Sequence, residues 1–426
     1  MSTPSETRRG WLSGWRVLAP FRVRAYRLLI AAVTLSVFAE GMWTVVMALQ
    51  VIAIDNDPAS LSVVAACMGT GLVGFVLVGG IVADRVSRRL IIIAVETVDF
   101  VAVAAVAALG LLDALRIWHM AVAAAALGVA AAFFFPAYSA ILPRILPPEQ
   151  LLAANGVEGV VRPVFQRAVG PAVGGMVVGA SLPGIGAVLV AGLFGLGLLL
   201  LICAGPFTES AAPQEDRPRA RVLRDLRDGF VFMVATPWLL WTLLFASVFV
   251  LVVVGPIEVL LPFITGERFA DGGRAYGFVL AAFGLGSAIG ALVVSSRRMP
   301  RRYLTTMMAM WGLGSLALIV IGATGSFWLM AAASFAIGMT DGAAMVIWGT
   351  LLQRRVPPEM LGRVSSLDFF VSLAFMPVSF AVAGPLSKVV PIPTIFVVAG
   401  VLPVLCAAVA MAAARMRSDE LAHPLR

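Results

Sequence analysis

From residue 28 to residue 414 the chain is a succession of long apolar runs separated by short polar gaps. A helix needs about 20 residues to cross the ~30 Å hydrocarbon layer of a bilayer. Runs of that length fall at 28–53, 61–83, 90–112, 117–142, 156–180 and 183–206, and again at 238–264, 274–296, 303–324, 327–352, 364–387 and 391–414. Inside hydrocarbon each backbone polar group must be satisfied without water, so such runs read as helices. The expected fold class is an all-α polytopic membrane protein with twelve transmembrane helices. Composition agrees: 61% of residues are hydrophobic and 13% charged, whereas soluble domains are about half apolar and about a quarter charged.

A net charge of +8 would ordinarily raise the question of a polyanionic partner, and its placement answers it. Threaded through twelve spans with both termini in the cytoplasm, every basic residue lies on the cytoplasmic side except Arg116, Arg268, Arg274 and Lys388 outside and Arg162 and Arg167 within a span. This is the asymmetry that orients insertion, and no nucleic acid is implied. The arginine-rich N-terminus leads into an apolar run too long for a signal peptide, so the first helix is expected to be retained. Cys67, Cys203 and Cys406 are scattered among separate spans without metal-type spacing. No disulfide, metal or cofactor is expected.

The sequence also matches itself at a constant shift. Gly80 falls on Gly290, Ile117-Trp118 on Phe327-Trp328, Leu127-Gly128 on Ile337-Gly338, Pro147-Pro148-Glu149 on Pro357-Pro358-Glu359, and Glu158 on Asp368. The expected architecture is two pseudo-symmetric six-helix bundles, residues 1–206 and 238–426, joined by a cytoplasmic linker at 207–237. Parallel repeats of this kind place a substrate site between them near the bilayer midplane. Within the linker, Val222, Leu223, Leu226, Phe230 and Met233 recur at helical spacing and predict an amphipathic helix on the cytoplasmic face.

The gap between the second and third runs reads Gly80-x-x-x-Asp84-Arg85-x-x-Arg88-Arg89, with Ser87 in place of a second glycine. This pattern resembles the loop between spans two and three of the major facilitator superfamily. FFFPAYSAILPRILPPEQLLAAN and TLLQRRVPPEMLGRVSS are similar to the branch of drug:proton antiporters that holds macrolide-efflux, multidrug and enterobactin exporters. Gly170-Pro171-x-x-Gly174-Gly175 is similar to the end of the antiporter motif in span five, although Gln166 stands where an upstream glycine is usual. The resemblance implies a multi-pass protein of the bacterial inner membrane, acting as a monomer. It also implies a cytoplasmic latch: Glu96 would receive a loop arginine, and Asp84 would bind near Arg363 and Asp368 of span eleven.

Charges within spans cost at least ~2.5 kcal/mol near the centre, so each needs a reason. Glu40 lies about 20 Å beyond Arg27 at ~1.5 Å per residue, near the middle of span one, and Asp341 lies at similar depth in span ten. By resemblance both spans line the central cavity. Each acid is either a proton carrier or half of a permanent pair. Arg167, about 18 Å into span five, has no acid within reach on its own helix; Glu40 or an anionic part of a substrate could serve it. Glu158 and Arg162 are spaced i, i+4 in the favourable order, and Glu96 and Asp99 share a face of span three; all four join the latch. Trp43, Met47, Phe134, Tyr138, Met345 and Trp348 form a candidate aromatic and thioether pocket.

These residues point to proton-coupled efflux of an amphipathic small molecule, driven by a proton gradient since no P-loop occurs. A second reading keeps the fold and changes the cargo to a lipid, a lysophospholipid or a siderophore. A membrane-embedded enzyme or a transport-dead scaffold is a third, but His119 and His423 lie in a loop and a tail and no catalytic grouping emerges. Uptake by symport stays open, because the residues do not set the direction of coupling.

Overall fold

The computed structural model describes residues 19–205 and 219–425, and these are helical throughout with no strand among them. The helices matching the predicted runs are α1 (Arg24–Ile54), α2 (Pro58–Arg85), α3 (Arg88–Leu111), α4 (Ile117–Ile145), α5, α6 (Pro183–Cys203), α7, α8 (Gly272–Ser295), α9, α10 (Phe327–Arg355), α11 and α12 (Ile392–Ala413). α5 is a continuous run of Pro148–Val161, a π-helical stretch Arg162–Val169, and Gly170–Ala180. α7 (Pro237–Arg268) likewise contains π-helical stretches at Val250–Val254 and Pro256–Leu260. α9 is divided into Tyr303–Gly314 and Ala317–Ala323, and α11 into Pro358–Leu373 and Met376–Ser387. Eleven of these are long and apolar enough to cross a membrane; α5, whose middle carries Arg162 and Arg167, is not among them.

Local chemistry sets the ends. Asp57 caps α2 by accepting from the Ala59 N–H at 2.9 Å, and Pro58 fills the first turn, where its missing donor costs nothing. Ser87, the departure from the glycine pattern, is the N-cap of α3 and accepts from the Leu90 N–H at 3.3 Å. α5 and α11 begin earlier than the apolar runs suggest, because Pro148 and Pro358 start their first turns. The linker helix (Arg219–Ala235) forms as its spacing predicts; residues 207–218 lie outside the described residues. It packs on the first half of α11, where Asp228 pairs with Arg363 at 3.6 Å.

The repeat reappears as geometry. Gly128 in the middle of α4 lies against the Met68 carbonyl of α2, and its repeat mate Gly338 in α10 against the Phe283 carbonyl of α8. In each case a β-carbon would sit 2.0 Å from that oxygen, so the two helix pairs approach as closely as only glycine allows. Trp118 and Trp328, also repeat mates, begin α4 and α10 and are 64% and 79% exposed, as suits aromatic anchors at a membrane interface. One core cluster is drawn from α1–α6 alone and one from α7–α12 with its flanking helices, while a third joins both sets.

The arginine-rich gaps and the ends of the described residues, at Ala19 and Leu425, share one face, termed here the basic face. Contacts between α1–α6 and α7–α12 concentrate toward the opposite one. There Gly175 and Pro171 of α5 meet Gly277 of α8, the Ser62 Oγ accepts from the Gly384 N–H of α11 at 2.7 Å, and Lys388 donates to Asp57 at 2.6 Å. The deepest of the glycine contacts sets Gly284, midway along α8, on the Arg167 carbonyl. The two sets of helices are thus clasped from the opposite face to mid-depth.

Candidate functional site

α1 and α5 cross at Gly41 and Gly170. A β-carbon on Gly41 would lie 2.4 Å from the Gln166 carbonyl oxygen, and one on Gly170 would lie 2.8 Å from the Gly41 Cα. This approach brings the residue before Gly41 onto the π stretch of α5. Half-buried Glu40 accepts a hydrogen bond from the Gln166 side-chain amide at 2.5 Å. The glutamine that departs from the antiporter pattern is therefore the partner of the intramembrane acid. A π stretch shifts the facing of following side chains by about one residue, and such bulges recur at functional sites.

Arg167 does not meet Glu40, as the sequence allowed. The cation whose charge acts on Glu40 is Arg162, which is held by Glu158 at 2.8 Å and lies over the Phe134 and Tyr138 rings at 5.6 and 5.7 Å. Glu158 and Arg162 thus form the local pair that their spacing predicts. Arg167 is exposed beside the clasp, and its charge acts on Glu258 of α7 and Asp341 of α10. Asp341 also accepts from the Trp311 indole N–H at 3.3 Å. The arrangement has two parts: Glu40 with a neutral amide on α1 and α5, and Glu258 and Asp341 within the electrostatic range of one arginine. Gln166 and Trp311 are partners that the sequence analysis missed. Only the exceptional glutamine at 166 signalled the first, and nothing in the sequence signalled the second.

The predicted latch is distributed differently. Glu96 is 1% exposed and bonds to Ser36 Oγ at 2.6 Å rather than to a loop arginine, because it sits between α1 and α6, away from the helix ends. Asp99 is buried beside it. Arg89 reaches the Leu201 carbonyl at 3.5 Å, and Arg88 is half-buried at the start of α3. The side chains of Gly80, Asp84 and Arg85 lie outside the described residues. Arg363 turns to the linker helix, and Asp368 accepts from the Trp348 indole at 3.1 Å and from Ser372 at 3.2 Å. Gly170, Pro171, Gly174 and Gly175 are buried where α5 meets α1 and α8. Of the candidate pocket residues, Trp43, Met47, Phe134, Tyr138 and Trp348 are buried in the cores in this state, whereas Met345, one turn from Asp341, is 52% exposed. A separate groove of about 510 Å³, lined by Val98, Val101, Trp118 and Val122, lies on α3 and α4, and none of these acids lines it.

A family model described as Major Facilitator Superfamily matches residues 29–372. The chain belongs to the Major Facilitator Superfamily. It is 28% identical over 406 residues to the multidrug efflux pump Tap of Mycolicibacterium fortuitum, covering 93% of this chain and 97% of that one. It is 24% identical over 349 residues to the enterobactin exporter EntS of Escherichia coli O139:H28, covering 80% of each. Among solved structures, the nucleoside transporter NupG superposes with a TM-score of 0.70 at 13% identity, covering 91% of this chain and 98% of that one. A bacterial homologue of the human lysosomal transporter Spinster, in an inward-facing and unoccupied conformation, superposes with a TM-score of 0.66 at 14% identity, covering 93% and 98%. The protein is accordingly a multi-span facilitator transporter with drug and siderophore exporters among its relatives, and not an enzyme.

Proposed function

We propose that this facilitator is a proton-coupled exporter of amphipathic organic compounds, working by alternating access of residues 1–206 and 238–426 about the linker at 207–237. The observation that carries this reading is Glu40: an intramembrane carboxyl whose hydrogen bond comes from a neutral amide, while Arg162, whose charge acts on it, is held by Glu158. An acid without a dedicated counter-ion can exist in either protonation state, whereas a permanent ion pair resists both protonation and separation. The basic face is taken as cytoplasmic, following the positive-inside rule, which places the clasp on the outer side and Glu40 on the cytoplasmic approach. A protonated Glu40 would release Gln166 more readily to substrate than an ionised one, because the amide donates more strongly to a carboxylate than to a neutral carboxyl, and a bound cationic or neutral amphipath would compete for the same groove. The account is tested in proteoliposomes: an imposed pH gradient should drive uptake of a lipophilic cation such as tetraphenylphosphonium into inside-out vesicles, and Glu40→Gln should abolish it.

A second reading follows from exposed Arg167 and from the siderophore exporter among the relatives. There Arg167 receives an anionic group of the cargo, in exchange for Glu258 and Asp341. Arg167→Gln would then eliminate transport of a catecholate siderophore or an anionic lysophospholipid and spare tetraphenylphosphonium.

A further inference from the structure

Three acids of the first six spans lie close together on two helices: Glu40 on α1, and Glu96 and Asp99 on α3. The link between them is Ser36, one turn before Glu40 on α1. Its Oγ lies 3.0 Å from the Ala32 carbonyl and 2.6 Å from Glu96 Oε1. A hydroxyl has one proton to donate and lone pairs with which to accept. The Ala32 carbonyl can only accept, as it commonly does from helix serines, so the two contacts compete for the one Ser36 proton, and both are served together when Glu96 carries a proton and donates it to Ser36 Oγ.

The other oxygen of Glu96 leads to the same conclusion independently. Oε2 is buried with no hydrogen-bond partner, and its neighbour is the bare backbone of Gly197 on α6. An ionised carboxylate with an unserved oxygen in apolar surroundings is costly, whereas a neutral acid donating from Oε1 leaves only a carbonyl oxygen unserved. Among the described residues, no cation lies within ion-pair distance of it. Of the ionisable groups on the helices packed around Glu96, Glu40 on α1 and Asp99 on α3 lie beside it; Arg24, Tyr26 and Arg27 of α1 and Arg88 and Arg89 of α3 sit at the helix ends, with Arg89 turned to the Leu201 carbonyl, while on α4 His119 is at the far end and Tyr138 lies beneath Arg162, and α6 has no charged residue.

We propose that Glu96 is a second proton-carrying group of the transport cycle, holding a proton against Ser36 in this conformation and exchanging it with Glu40 through the Ser36 hydroxyl. In that exchange the Glu96 proton passes to Ser36 Oγ while the Ser36 proton passes to the Glu40 carboxylate. Glu96 is left ionised, Glu40 neutral and Ser36 unchanged. The step uses the i, i+4 neighbourhood of Ser36 and Glu40 on one helix face. It rests on the reading of Glu40 as the coupling acid, and it moves Glu96 from the predicted cytoplasmic latch into the proton path.

Two measurements on the full-length protein test it. Infrared difference spectra at neutral pH should show the C=O stretch of a protonated carboxyl that disappears in Glu96→Gln and shifts in Ser36→Ala; an unchanged band in Glu96→Gln would overturn the assignment. In proteoliposomes, Glu96→Gln should alter the number of protons moved per tetraphenylphosphonium and flatten the pH profile, while Glu96→Asp restores both in part. Wild-type stoichiometry and pH profile in Glu96→Gln would reduce Glu96 to a packing residue. If Glu96→Gln does not fold, Ser36→Ala carries the same two readouts. Intact coupling in Glu40→Gln would instead overturn the reading of Glu40 and leave the infrared result standing, so the two failures are distinguishable.

Discussion

Gly384→Ala should open the clasp between α2 and α11. In the structure the new β-carbon would lie 2.3 Å from the Pro58 carbonyl oxygen, 2.5 Å from its carbon and 2.6 Å from Ser62 Oγ. Two of these are backbone atoms, so the helices must separate, and the 2.7 Å bond from the Gly384 N–H to Ser62 is stretched with them. Overpacking of this kind costs ~1–3 kcal/mol. The gain in helix propensity from glycine to alanine applies in both conformations and cancels. The penalty therefore falls on the clasped state alone and should shift the conformational equilibrium roughly 5- to 150-fold toward the state open at that face. Spin labels at Asn56 and Val389, in a background with Cys67, Cys203 and Cys406 replaced by serine, would report the distance across the clasp. Gly74→Ala is the control, because nothing lies within 4 Å of a β-carbon there. A distance distribution in Gly384→Ala no different from that of Gly74→Ala would refute the reasoning.

The Asp57–Lys388 pair closes the same face, with side chains 34% and 55% exposed, and such pairs contribute only ~0.2–1 kcal/mol. The Lys388 hydrogen bond, and then the Ala59 N–H, hold the Asp57 carboxyl below its ordinary value of 3.8. Its contribution to closure is therefore complete above that value and fades only as pH falls through the lowered one; Asp57→Asn should shift the spin-label distances by the same small amount at about pH 6 and about pH 8, and a difference between them would contradict this. Gln166→Leu removes the donor to Glu40, a bond to an ionisable group worth ~1.5–3 kcal/mol, and should lower gradient-driven uptake about tenfold or more while counterflow persists. Arg355→Ala loses the ion pair with Asp419, the contact with Tyr303 and the stacking on Trp238 at 5.0 Å; it should destabilise the protein by ~1–3 kcal/mol, seen as a lower Tm in detergent.

The spans were legible because hydrocarbon imposes the same demand on every helix, and the repeat was legible because Gly128 and Gly338 meet the same steric need in each half. The linker helix followed from spacing alone. What escaped was tertiary. Apolar runs do not mark the helix starts at Pro148 and Pro358, since proline in a first turn looks like a loop. The π stretch of α5 re-aims Gln166 and Arg167, so depth along an ideal helix paired Arg167 with Glu40 when its charge serves Glu258 and Asp341 instead. Gln166 read as a weakened motif until the crossing at Gly41 placed its amide on Glu40. The resemblance assigned Glu96 to a loop arginine, yet its side chain meets Ser36 on α1. The helix Met416–Ala422 went unnoticed because it is short and polar; buried Glu420 binds the Leu304 and Thr305 N–H groups at 3.0 and 3.1 Å and so caps the start of α9.

The central claim is that protonation of Glu40 couples the gradient to substrate movement. It is tested most directly by comparing two fluxes of tetraphenylphosphonium in the same proteoliposomes, one driven by an imposed pH gradient and one by substrate counterflow without a gradient. Glu40→Gln should lose the first and keep the second, because exchange of substrate needs the cavity but not the proton. Retention of both fluxes would show that coupling resides elsewhere in the bundle.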